Sequence, residues 1–115
     1  MAWYAAHEAT GMGVPAVVLF EIQMGVENLR EKDPLRAAQF DWWAGEIEAS
    51  GDVVPLNAAA AREAARLLNT LPMEMMADAM IAATASVNGL TVATRNTKHF
   101  DKFGVPLVNP FHYHR

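Results

Sequence analysis

Met76-Ala77-Asp78-Ala79-Met80-Ile81-Ala82-Ala83-Thr84-Ala85, followed by Gly89-Leu90-Thr91-Val92-Ala93-Thr94-Arg95-Asn96, is the stretch whose reading decides the fold. Small and apolar residues dominate its first half, the composition of a helix that is buried rather than solvated. Between Met76 and Ala85 Asp78 is the one charge, and a carboxylate in such surroundings is costly unless a cation or donors accompany it. Pro72 opens the helix, which is expected to run to Asn88, and Gly89 supplies the left-handed residue that closes it. The β-branched run Thr91 to Thr94 then reads as a short strand emptying into polar, cationic residues.

Upstream, the same alternation of strand and helix recurs. Residues 2–9 read as a short helix stopped near Gly11 and Gly13, and Val14 to Leu19 as an apolar strand without alternation, the mark of a strand covered on both faces. A helix over 20–32 places Ile22, Val26 and Leu29 inward and Glu27, Arg30 and Glu31 outward. Pro34 opens a second helix with Leu35, Ala38, Trp42 and Ile47 on its inner stripe, ended at Gly51-Asp52. Val53 to Leu56 follows as a short strand, Asn57 caps an Ala-rich helix over 58–69, and Val105 to Val108 forms the last strand. Strands alternating with helices, and no hairpin signals, predict an α/β domain with a mostly parallel sheet and helices on both faces.

The chain has 115 residues, 52% hydrophobic and 19% charged, and fits one small folded domain over 1–115. No cysteine is present, which excludes a disulfide framework and thiolate zinc sites and points to the cytoplasm. The apolar run from Gly13 to Phe20 is far short of a membrane span, so no membrane partner is expected. A net charge of −4 speaks against a passive nucleic-acid binder. It leaves room for a metal-dependent nuclease, whose ligand carboxylates count against the total until the ion arrives. No Gly-rich phosphate loop, HExxH or nucleophile elbow exists here.

In parallel sheets, ligands bind beyond the carboxyl ends of the strands, and that rule selects the polar residues worth weighing. Glu21 follows the strand ending at Leu19, Asp78 lies near the start of its helix, and Asn96 follows the strand ending at Thr94. On one sheet edge, two carboxylates and an amide oxygen make a hard-oxygen site for magnesium or manganese. Taken alone, Glu21 is also explained as an acid on a helix dipole, worth about 0.3–1 kcal/mol. Capping explains Asp78 poorly, because its helix begins a turn earlier. Glu74 shares a helical face with Asp78 but reads as a solvated first-turn acid. Arg95, Lys98 and Lys102 form the most basic window, suited to gripping a phosphodiester or simply to solvating a loop. His99 reads equally as a ligand or proton carrier and as a packed loop histidine. The methionines 73, 75, 76 and 80 and the pair Trp42-Trp43 read as core and interface filling.

Together, Val18-Leu19-Phe20-Glu21-Ile22-Gln23-Met24-Gly25, Ala77-Asp78-Ala79-Met80-Ile81-Ala82-Ala83-Thr84-Ala85 and Thr94-Arg95-Asn96-Thr97-Lys98-His99-Phe100 resemble the PIN-domain ribonucleases, and within them the VapC-like toxins of toxin–antitoxin systems. The resemblance extends to Gly104-Val105-Pro106-Leu107-Val108-Asn109-Pro110. It implies a PIN-like three-layer fold and a metal-dependent endoribonuclease in which Glu21 and Asp78 bind magnesium or manganese. Asn96 and His99 would complete the catalytic cluster, while Arg95 and Lys98 hold RNA. It also implies a cognate antitoxin and a homodimer. The family's first strand, which carries an Asp ligand and occupies the middle of the sheet, has no counterpart before Trp3. Something else is therefore expected to fill that central slot, and activity is expected to suffer. The alternative is a catalytically silent remnant kept for antitoxin binding or dimerisation, and a weaker one is a generic α/β ligand-binding domain.

Overall fold

The structure, a computed structural model, describes residues 4–8, 11–94, 100–105 and 107–108. Five strands and four α-helices follow the order β1 (Tyr4–Glu8), β2 (Gly11–Pro15), α1 (Ala16–Leu29), α2 (Pro34–Ser50), β3 (Val53–Val54), α3 (Ala58–Leu68), α4 (Met76–Val87), β4 (Thr91–Thr94) and β5 (Leu107–Val108). The sheet order is β3-β2-β1-β4-β5. β2 pairs β3 in parallel and β4 pairs β5 in parallel, whereas β1 is antiparallel to both β2 and β4. Four strands therefore point one way, and only the central one is reversed. This is the PIN-like α/β architecture the sequence predicts.

Several local expectations are corrected. Residues 4–8 form a strand, not part of a helix, although Ala5, Ala6 and Glu8 favour helix locally. Between β2 and β4 they supply partners for two rows of backbone groups, pairing Ala6 with Gly13 on one side and with Val92 on the other. Backbone pairing of that kind outweighs a weak propensity. The central slot is thus filled from within the chain, and β1 and β2 form an antiparallel pair where no hairpin was expected.

The strand expected over 14–19 ends at Pro15, and α1 begins at Ala16. Val17, Val18, Ile22 and Val26 are all buried, so the apolar run is the inner face of a helix; short apolar runs do not distinguish the two by periodicity. Glu21 accordingly lies on the second turn of α1 rather than at a strand exit. The inner stripe of α2 is also rotated from expectation: Ala37 and Ala44 are buried, Ile47 is half-buried, and Leu35 and Trp42 are 75% and 67% exposed. Small residues where α2 meets α1 let the two helices approach closely, which leaves the larger side chains outside.

Elsewhere the local signals hold. Asp33 Oδ1 accepts from the backbone N–H of Arg36, and Gly51 closes α2 with φ 78°. Asn57 Oδ1 accepts from Ala60 N at 2.9 Å to cap α3. After Pro72 a single 3₁₀ turn, Met73–Met75, leads into α4, and Gly89 follows with φ 66°. The last strand is shorter than expected, Leu107–Val108. Its preceding Phe100 and Phe103 are buried with ring centroids 5.9 Å apart. Among the described residues, no helix is long and apolar enough to cross a membrane.

Candidate metal centre

α4 is the most deeply buried helix, with Ala79, Ala82, Ala83, Thr84 and Ala85 each fully enclosed. Even the Thr84 hydroxyl is satisfied inside the helix, donating to the Met80 carbonyl at 2.8 Å. Asp78 sits on the first turn of this helix and is only 8% exposed.

Glu21 reaches the same place from α1, which packs directly against α4. It is half-buried, and burial raises its pKa above the ordinary 4.5; the neighbouring Asp78 carboxylate raises it further. Both causes act in the same direction, because loss of water and a like charge each disfavour the carboxylate. Two acids from residues far apart in the sequence are therefore held against one another at a cost. A single divalent cation matches their combined charge and removes both penalties, and hard carboxylate oxygens suit magnesium or manganese. The pair fits such an ion. Among the described residues no group of three or more His, Cys, Asp or Glu side chains forms a fuller cage.

The other residues singled out from sequence fall differently. Asn96, His99, Arg95 and Lys98 lie outside the described residues. Glu74 is exposed on the 3₁₀ turn, as a solvated acid should be, and Lys102 is exposed on the turn after Phe100. Met75 is core, whereas Met73 and Met76 are 70% and 45% exposed. Sequence reasoning did not find the apolar pocket of about 330 Å³ between α1 and the start of α4, lined by Val17, Phe20, Leu56, Met76, Ala77 and Met80.

Comparison with known proteins agrees with this fold. The sequence model of the PIN domain matches residues 2–106. The VapC ribonuclease Y4jK of Sinorhizobium fredii is 28% identical over 117 residues, covering 96% of this chain and 83% of that protein. The plasmid stability protein StbB of Pseudomonas syringae pv. tomato is 54% identical over 35 residues, 30% of this chain and only 25% of that protein's length. Among solved structures, FitAcB from Neisseria gonorrhoeae superposes with a TM-score of 0.68 at 27% identity, covering 87% of this chain and 76% of that one. FitAB bound to an IR36 DNA fragment gives 0.64 at 25% identity, over 90% of this chain and 76% of that one.

Proposed function

Because this chain belongs to the PIN domain family, we propose that it is a divalent-metal-dependent endoribonuclease of the toxin class, hydrolysing RNA phosphodiesters in the cytoplasm as a single domain over 1–115. The observation that carries the reading is the packing of α1 against α4, which brings Glu21 near enough to Asp78 for the two carboxylates to interact, while burial first and that neighbour second raise the Glu21 pKa. Resemblance to a VapC ribonuclease along nearly the whole chain supports the same chemistry.

Glu21 and Asp78 hold the metal, magnesium or manganese, which when bound activates water and offsets charge on the phosphodiester. Asp78 does so from a rigid, buried helix, so its carboxylate is fixed before the ion arrives. Glu21, on the more open helix, closes the pair. β2 and β4 run in the same direction, and α4 runs back to begin β4, which brings the amino end of α4 and the carboxyl end of β4 to one edge. β4 ends at that edge with Thr94. There Asn96 and His99 are assigned to completing the cluster, and Arg95 and Lys98 to gripping RNA phosphates.

A protein partner is supported by the outer face of α2, where Leu35, Ala38, Phe40, Trp42 and Trp43 line an open depression of about 540 Å³. Exposed apolar clusters of this kind mark interaction sites. We assign it a cognate antitoxin, in keeping with the two-component FitAB assembly among the structural relatives, and expect the chain to form a homodimer. The second reading is a silent remnant that binds antitoxin without cleaving RNA. Magnesium-dependent cleavage of single-stranded RNA by the purified chain, abolished by Asp78→Asn, decides between them. No cleavage with retained antitoxin binding establishes the remnant. Light scattering gives the number of copies.

A further inference from the structure

No cysteine is present, so methionine thioethers are the only sulfur in the chain, and four of its seven methionines fall within residues 73–80. That cluster spans the 3₁₀ turn and the start of α4, and its members differ in their access to solvent. Met73 is 70% exposed and Met76 45%, whereas Met80 is half-buried and Met75 is buried. Met76 combines two properties. It is open to solvent, and with Val17 and Phe20 of α1, Leu56 and Met80 it lines the apolar depression between α1 and the start of α4. Met73, more open still, is not part of that lining. Because α1 carries Glu21 and α4 carries Asp78, the fit of the two helices at this end sets how the acids meet.

We propose that Met76 is a reversible oxidation site, at which hydrogen peroxide turns an apolar lining group of this depression into a polar one, loosening α1 from α4 and the acid pair they carry. The consequence for a bound ion rests on the metal reading of that pair. The sulfur lone pair attacks one peroxide oxygen; an S–O bond forms, the O–O bond breaks, and the other oxygen leaves as water. Sulfur gives up two electrons, and the peroxide takes them. Two thiols drive the reverse step through a sulfoxide reductase, releasing water and ending as a disulfide. A sulfoxide oxygen turned against Val17, Phe20 and Leu56 has no donor there, and burying it is unfavourable. The oxidised side chain therefore swings out to water and withdraws its packing from the junction. At Met73 the same product stays in solvent and leaves the junction intact.

The test treats the full chain with dilute hydrogen peroxide, maps the added oxygen by peptide mass spectrometry and follows thermal unfolding in EDTA and in magnesium. Sulfoxide is expected at Met73 and Met76 before Met75. Oxidation of Met76 should lower the Tm in EDTA by about 4 °C and shrink the gain that magnesium gives. Reductase with dithiothreitol should restore both. Met76→Leu, which packs but cannot be oxidised in this way, should resist; Met73→Leu should respond as the wild type does, and unoxidised Met76→Gln should mimic the oxidised chain. Complete oxidation of Met76 with an unchanged Tm, or an equal loss in Met76→Leu, overturns the proposal. So does oxidation of Met75 ahead of Met76. A Met76-dependent loss in EDTA, with no magnesium gain before or after oxidation, keeps the switch and sinks the metal reading; a magnesium gain and Tm both untouched by oxidation do the reverse.

Discussion

Two glutamates on α1 experience opposite fates. Glu27 faces solvent and is clasped by its own helix: Arg30 Nη2 lies 2.8 Å from its carboxylate, and Gln23 Nε2 donates to it at 2.8 Å. Its pKa is pulled down to about 2, by the Arg30 hydrogen bond first and Gln23 second. Glu21 is half-buried, meets another carboxylate instead of a cation, and is pushed the other way. No ion pair reaches it among the described residues. The contrast separates a carboxylate whose counter-charge sits three residues on in its own helix from one with no ion-pair partner among the described residues. Surface clasps like that of Glu27 are worth little to stability, whereas a strained acid pair is a place where binding energy can be released.

Replacing Asp78 should break the comparison most severely. Asp78→Asn is expected to lower the rate of magnesium-dependent RNA cleavage about a hundredfold or more, whereas Glu27→Gln leaves it unchanged; initial rates on one RNA at saturating magnesium measure both. Thermal unfolding gives the next effect. Magnesium at a hundred times its Kd should stabilise the wild-type chain by about 2.7 kcal/mol, and Glu27→Gln equally, because the ion binds the folded state alone. Asp78→Asn should show no such gain, and an undiminished gain there would place the ion elsewhere.

A smaller, pH-dependent effect follows from Glu21 in the absence of divalent ions. Its folded-state pKa lies above that of the unfolded chain, so the native state holds its proton more tightly. The resulting stability is fully present below the ordinary 4.5 and is lost as pH rises through the folded value. Glu21→Gln should therefore raise the Tm at pH 7 in EDTA, with the gain vanishing below about pH 4. Equal Tm differences at both pH values would show that the pair is not strained. Smallest of all, Glu27→Gln should shift Tm slightly downward at low salt and not measurably at high salt, where an exposed pair is screened.

The candidate site was legible to different depths. Asp78 stood out because a lone charge in an Ala- and Met-rich helix is physically anomalous, and the structure does bury it. Glu21 was recognised through its setting in the motif, but its environment was misread, since Val14 to Leu19 looks the same as a buried strand or as the inner face of a helix. The apolar pocket between α1 and the start of α4 was invisible, because it is made by residues from three separate segments whose apolar character is individually ordinary. Leu35 and Trp42 were assigned inward for a related reason: α2 carries large apolar residues on more than one face, and only its contact with α1 chooses Ala37 and Ala44.

The sequence by itself determined the caps and turns, the succession of helices and strands beyond Pro34, and the presence of a candidate ligand acid in each of two helices, because these depend on interactions between residues a few positions apart. Tertiary structure alone decided that Tyr4–Glu8 becomes the central, reversed strand, which face of α2 is buried, and that Glu21 and Asp78 repel one another. Each of those outcomes depends on a partner distant in the chain, whose backbone groups, small side chains or charge no local pattern records.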